Sequence, residues 1–192
     1  MDQVRINQQD SSMRYILTLL LFFNASLLAE MKMPAIFSDG MVLQQKMKTP
    51  IWGWAKSGSK IRVDFAGQTQ TSKADRAGKW KVKLKPLMAS SKPAELIINA
   101  GGKQKVIRDV LVGEVWLCSG QSNMYRSMKQ ILNDGPVTPE LTGIVSSLAQ
   151  EIKTAKDPLL RHFSIERRAS AFKPLSDVRG TKWISSNPAD NG

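Results

Sequence analysis

Val110-Leu111-Val112-Gly113-Glu114-Val115-Trp116-Leu117-Cys118-Ser119-Gly120-Gln121-Ser122-Asn123-Met124 is the stretch on which the reading of this chain turns. Its apolar run, Val115 to Cys118, has the composition of a strand covered on both faces. Gly120 relieves crowding at a sharp turn, and from Met124 to Leu132 the apolar residues recur at helical spacing. Strand, tight turn and helix would present Ser122 to a cleft, with backbone N–H groups able to stabilise an oxyanion beside it. The nucleophile-elbow pattern Gly-x-Ser-x-Gly is half met, because Gly120 and Ser122 fit and Met124 stands at the second glycine. On this pattern Ser122 reads either as a nucleophile or as the N-cap of the following helix.

Outward from this centre, the amino-terminal side is built differently. Residues 30–112 form short alternating runs separated by turn chemistry, which predicts an antiparallel β-sandwich-like module. Ala35-Ile36-Phe37 and Met41-Val42-Leu43 flank Ser38-Asp39-Gly40, a hairpin pattern. Ile51 to Trp54, Ile61 to Phe65, Thr69 to Ala74, Glu95 to Ile98 and Lys105 to Ile107 read as strands. The clearest is Lys79-Trp80-Lys81-Val82-Lys83-Leu84-Lys85, in which apolar residues alternate with lysine, so that one face packs and the other is solvated. On the carboxyl side, Leu141 to Lys156 reads as a second helix and Leu159 to Ile165 as a strand. Together with Val115 to Cys118 they predict a β-α-β unit with parallel strands. Fewer residues remain for that unit than a doubly wound sheet takes, and the chain stops at Gly192 soon after the strand-like Trp183-Ile184. An amino-terminal fragment of a longer protein is therefore expected.

The chain has 192 residues, 42% hydrophobic and 23% charged, an ordinary globular composition. Arg14 precedes the apolar run Tyr15 to Leu28, which ends at Ala29-Glu30, the order of a secretory signal, so residues 1–29 are assigned to a signal peptide and the protein to the periplasm or the extracellular space. The run is shorter than a membrane span and is interrupted by Asn24 and Ser26, so no stable membrane insertion is expected once it is removed. Met13 is a candidate initiator, and Asn24-Ala25-Ser26, a glycosylation triplet, would leave with the signal. Cys118 is the single cysteine, so no internal disulfide can form; within its apolar run it reads as a small core residue.

The net charge of +12 has a location. From Lys46 to Arg108 there are 15 Lys and Arg against 3 Asp and Glu, with 13 of each elsewhere. Nucleic-acid binding would want aromatic rings among the basic residues on one face, and Trp80 points opposite its flanking lysines. The excess reads as a solvated basic face, or as one that holds or steers anionic glycans. His162, the single histidine, lies in a predicted strand and reads as a structural or surface residue rather than a catalytic base. Ser57-Gly58-Ser59-Lys60 and Ser170-Ala171-Phe172-Lys173 match Ser-x-x-Lys without its helix. No His and Cys cluster for zinc and no phosphate loop occurs, so neither a metal nor another cofactor is expected.

Met33-Pro34-Ala35-Ile36-Phe37-Ser38-Asp39-Gly40-Met41-Val42-Leu43-Gln44-Gln45, Trp52-Gly53-Trp54-Ala55, Asp75 to Trp80 and, above all, Gly113 to Met124 resemble the sialate O-acetylesterases. Arg161-His162-Phe163 and Gly180-Thr181-Lys182-Trp183 are similar to the same family. The resemblance implies an exported carboxylic ester hydrolase of the SGNH type, with a β-rich region ahead of a three-layer α/β (flavodoxin-like) domain, here residues 113–192, that removes O-acetyl groups from sialic acids or other acetylated sugars. It makes Ser122 the nucleophile, with Gly120, Gln121 and Asn123 supporting the oxyanion loop. Two departures stand out. The family continues with Glu-Trp-Pro where this chain has Tyr125-Arg126-Ser127, and its Asp-x-x-His segment, which carries the base, has no counterpart, since Leu159 stands three before His162. The chain alone is therefore expected to be inactive. A rival reading is a carbohydrate-binding or structural β-module with an incomplete esterase segment; another keeps the esterase and takes acetylated polysaccharide such as xylan as substrate.

Overall fold

The computed structural model describes residues 31–121, 124, 126–133, 138–166, 176–178, 180 and 182–187. The chain divides into two compact units, Met1–Glu30 and Met31–Gly192, and all described residues belong to the second. The expected signal peptide lies outside them.

Nine strands and two helices follow in order: β1 (Val42–Gln44), β2 (Thr49–Trp54), β3 (Lys60–Phe65), β4 (Gln68–Lys73), β5 (Lys79–Leu84), β6 (Ser90–Ala100), β7 (Lys103–Gly113), α1 (Met128–Asn133), α2 (Pro139–Thr154), β8 (Asp157–His162) and β9 (Ile184–Ser186), counted among the described residues. One sheet runs β1-β7-β6-β3-β4, a second pairs β2 with β5, and a third pairs β8 with β9. The period-two pattern read along β3 and β5 is the observed one. Ile61, Val63 and Phe65 are buried, as are Trp80, Val82 and Leu84, and Lys79, Lys81 and Lys83, which alternate with the last three, are exposed. These side chains meet Ile51 of β2, Leu96 and Ile98 of β6, and Ile107 and Val110 of β7 in one apolar core, so the first two sheets share their inner faces. Each large side chain taken out of water there contributes about 1.5–3 kcal/mol.

Two-residue turns set the registers. Ala66 and Gly67 join β3 to β4 with φ of 47° and 75°, and Gly101 and Gly102 join β6 to β7 with φ of 56° and 81°. Positive φ at both positions is the hairpin geometry whose twist matches that of the strands. In the β6–β7 ladder Leu96 faces Ile107 and Ala94 faces Val110. Arg108 and Asp109 thus stand opposite Glu95 alone, a β-bulge, and Asp109 has φ 57°.

The structure corrects several expectations. Residues 35–40 form turns, not the first strand of a hairpin. Gly40 N–H donates to Arg108 O (3.0 Å), Asp39 Oδ1 accepts from Arg108 N–H (2.7 Å), and Leu111 N–H donates to Met41 O (3.0 Å). That segment is stitched onto β7, so β1 runs parallel to β7 and the large sheet is mixed rather than antiparallel throughout. Val115 to Cys118 is not a strand: Trp116 and Leu117 are 83% and 84% exposed, and Cys118 is exposed rather than a core residue. A strand exists through its lateral partners, and here the Val115 N–H is taken by the Gln44 side chain while no described strand lies alongside. Consequently the parallel β-α-β pairing is not formed, and β8 instead pairs antiparallel with β9. The helix expected from Met124 begins at Met128, and the second occupies 139–154, with Ile152 buried and Ile144 exposed.

Candidate active site

The approach to the serine turn is braced by the residues that end β1. Gln45 N–H donates to Gly113 O (2.9 Å), closing the β1–β7 ladder. Beyond it, Gln44 Nε2 and Gln45 Nε2 donate to the two oxygens of Glu114, at 2.9 and 2.6 Å, and Val115 N–H donates to Gln44 Oε1 at 2.7 Å. The amide dipoles of Gln44 and then Gln45 hold the Glu114 carboxyl below its usual range. From this anchor the chain runs exposed to Gly120 and Gln121.

Met124 N–H donates to Gln121 O (3.0 Å). A Cβ on Gly120 would come within 2.6 Å of Met124 Cγ, so a larger residue at 120 would displace the Met124 side chain. Ser122 and Asn123 themselves, the expected nucleophile and one of its supports, lie outside the described residues. The N-cap of α1 is Ser127: Gln130 N–H donates to Ser127 Oγ (3.2 Å) and Ser127 N–H donates to Gln130 Oε1 (2.8 Å). This is the reciprocal capping box, legible in Ser127-Met128-Lys129-Gln130 but missed in the sequence reading, and it gives the capping of α1 to Ser127.

A second assembly joins the two ends of the described chain. Arg161 of β8 donates from Nη1 to Gly40 O (2.9 Å) and Asp109 O (2.6 Å), and from Nη2 to Asp109 Oδ1 (3.0 Å). Trp183 Nε1 donates to Ile36 O (2.8 Å), and Asp177 Oδ1 accepts from Ala35 N–H (3.0 Å). Phe163 lies 5.6 Å from the Trp183 ring, and a Cβ on Gly180 would collide with Phe163. Thus the turn at residues 34–40 is the seat on which β8 and the segment around Trp183 rest. No spacing in the sequence singled out Arg161, Asp109 or Asp177, because these contacts bridge distant parts of the chain. His162 next to Arg161 is exposed and faces Ile184 across the β8–β9 pair. Among the described residues no group of three or more His, Cys, Asp and Glu converges as a metal site would require.

The frame just described, a two-sheet module whose last strand leads through Glu114 toward Gly120 and Gln121, has a counterpart among solved structures. A carbohydrate acetylesterase from Xanthomonas citri superposes with a TM-score of 0.71 at 34% identity, over 85% of this chain and 34% of that one. The sialate O-acetylesterase of Rattus norvegicus is 36% identical over 159 residues, 77% of this chain and 27% of the relative. That of Homo sapiens is 32% identical over 130 residues, 62% of this chain and 24% of the relative. No protein-family model matches the chain. The chain belongs to the sialate O-acetylesterase family, and spans about a quarter of the length of these curated relatives.

Proposed function

We propose that this chain carries the nucleophile-bearing part of an exported serine acetylesterase that removes O-acetyl groups from sialic acids or related acetylated sugars. The observation that carries the reading is the sequence Gly120-Gln121-Ser122-Asn123-Met124, which follows the braced Glu114 beyond β7, in a chain homologous to sialate O-acetylesterases. In this reading Ser122 Oγ attacks the acetyl carbonyl carbon, the C–O bond to the sugar breaks, and the sugar oxygen leaves with a proton. Water then hydrolyses the acetyl-serine ester to acetate and restores the hydroxyl. Backbone N–H groups of the turn, supported by Gly120, Gln121 and Asn123, hold the negative oxygen of each tetrahedral intermediate. The proton is carried by a histidine of an Asp-x-x-His segment, for which His162 does not serve. The two sheets act as a sandwich-like module, residues 30–112, and residues 113–192 as the beginning of a three-layer α/β domain. Export rests on Arg14 and the Tyr15 to Leu28 run.

The test is acetate release from an O-acetylated sialic acid, and from acetylated xylan in parallel, by a form that continues through an Asp-x-x-His segment. Release is expected from the sialic acid and is expected to vanish on Ser122→Ala. An active Ser122→Ala protein would remove the serine mechanism, and release from xylan alone would move the substrate to polysaccharide.

A further inference from the structure

The exposed positions of β3 and β5 carry a field of positive charge. Alternation directs Lys79, Lys81 and Lys83 of β5 outward. The Gln68 side chain grips the Lys85 peptide from both sides, accepting from Lys85 N–H at 2.7 Å and donating to Lys85 O at 3.4 Å, and so ties the end of β5 to the start of β4. On the next two strands Lys73 faces Lys60 and Thr71 faces Arg62, and Arg62 in turn faces Asn99 of β6. Carboxylates neutralise only part of this surface, and Lys60, Lys73, Lys81 and Lys83 have no carboxylate paired with them among the described ion pairs. Asp64 pairs with Arg62 and also accepts from Thr69, Glu95 lies 3.5 Å from Arg108, and Asp75 accepts from the Lys79 N–H inside a turn.

Two facts separate part of this field from ordinary surface charge. Lysine beside an exposed strand edge guards against edge-to-edge pairing. Lys60 and Arg62, however, stand on β3, which is paired on both sides, by β4 and β6. Moreover Lys60 and Lys73 are like charges directly opposite one another, an arrangement that costs stability unless an anion relieves it. At this place an open groove of about 420 Å³ is lined by Lys60, Arg62, Thr71, Ser72 and Asn99, beside the Gly101-Gly102 turn. At Gly102 no atom lies within 4 Å of where a Cβ would stand, so the turn leaves the groove unobstructed.

We propose that this groove, built from β3, β4 and β6, binds a carboxylate-bearing glycan. Lys60 and Arg62 meet the carboxylates, and the hydroxyl of Thr71 and the amide of Asn99, on the same face as Arg62, meet sugar hydroxyls. The surface suits a nucleic acid less well, because stacking needs open aromatic rings. Trp80 is buried on the inner face, Trp52 has Phe37 against it at 4.6 Å, and the Lys32 ammonium lies 5.8 Å from the Trp54 ring. The choice of a glycan over other polyanions rests on the acetylesterase reading; the binding itself does not require hydrolysis.

The test uses the whole 192-residue chain. Its affinity is measured for α2,8-linked oligosialic acid, for a neutral dextran of similar length and for a single-stranded DNA of equal charge. Oligosialic acid should bind, more weakly as salt rises, and dextran should not. The double substitution Lys60→Gln and Arg62→Gln should weaken binding at least about tenfold, as loss of two charge-assisted contacts requires. Because Arg62 also holds Asp64, a second variant, Thr71→Glu, places a carboxylate in the groove without removing that pair and should weaken binding as strongly. Both are checked for native unfolding temperature. Binding kept by Ser122→Ala separates this site from the catalytic reading. No binding of oligosialic acid, equal binding of dextran, tighter binding of DNA, or unchanged affinity in the folded Thr71→Glu protein would each overturn the proposal.

Discussion

Arg161 Nη1 lies 2.9 Å from Asp109 Oδ2, and the Arg161 side chain that makes this contact is 8% exposed. Asp109 is the bulge residue of β7 with φ 57°, a backbone region that a non-glycine residue occupies at a cost and that aspartate tolerates better than most. Its carboxylate and its carbonyl are both engaged by Arg161, which also binds the Gly40 carbonyl. One side chain of β8 therefore fixes the kink in the strand that leads to Glu114 and the serine turn.

Replacing Arg161 with alanine should destabilise the described fold by about 1–3 kcal/mol, since several carbonyl acceptors and a carboxylate lose a charged donor at once. Asp109→Asn should cost less, because asparagine also tolerates positive φ and the two carbonyl contacts of Arg161 remain. Urea unfolding of both variants checks the order. An Asp109→Asn protein weaker than Arg161→Ala would place the stabilisation in the ion pair rather than in the carbonyl contacts.

Glu114 gives a pH dependence with a definite sign. Its folded pKa is lowered from an ordinary value of 4.5 by the hydrogen bonds of Gln44 and Gln45, so the brace is fully present above that ordinary value and is lost as pH falls through the depressed one. Proteolysis within residues 115–121 should therefore accelerate in acid. Glu114→Gln replaces one of the two carboxylate oxygens reached by Gln44 and Gln45 with an NH2 donor, and should show fast cleavage at neutral pH with no further acid step at this site. Hydrogen exchange at the Val115 amide, which Gln44 holds, offers a second readout.

Two turn glycines should respond differently to a methyl group. Gly67 and Gly78 have φ of 75° and 78°, but a Cβ on Gly67 meets nothing within 4 Å, while one on Gly78 would stand 2.5 Å from Ala55 O. Gly67→Ala should cost about 1–2 kcal/mol, the left-handed penalty alone. Gly78→Ala should cost clearly more, because the Ala55 carbonyl is itself fixed beside the Gly78–Ala55 hydrogen bond of 2.9 Å. Thermal unfolding of the pair compares strain with strain plus collision, and equal losses would show that the Ala55 peptide yields freely.

The β-module was legible because its signals are local. Lys79 to Leu84 declares which face is buried within six residues, and turn residues such as Gly101-Gly102 declare where strands reverse. The parallel seating of β1 was not legible, since it depends on Asp39 and Gly40 meeting Arg108 far along the chain. Val115 to Cys118 misled for a related reason. An apolar run states that a segment can be buried, and burial also needs neighbours that composition does not specify. At the candidate site, the bend at Gln121 was readable from the glycine before it, whereas the Glu114 brace rests on two glutamines whose side chains carry no periodic signal.

His162 is the imidazole nearest to hand for a serine mechanism, and its setting argues against that use. It is exposed on β8, its backbone is paired with Ile184, and the residue beside it, Arg161, is committed to Asp109 and Gly40. A base must be oriented by a third group, and among the described residues no carboxylate is hydrogen-bonded to His162. We therefore expect the 192-residue chain alone to release acetate no faster than roughly 10³ to 10⁴-fold over water, the residual catalysis that a serine triad lacking one member retains. In a form that includes an Asp-x-x-His segment, His162→Ala should leave acetate release within about twofold of the parent, less than the roughly 10²-fold or greater contribution of a working general base. The same assay on a variant lacking the histidine of that segment should fall to the level of Ser122→Ala. If instead His162→Ala alone abolishes release while the protein keeps its unfolding temperature, His162 is the base and β8 must move to bring it to Ser122.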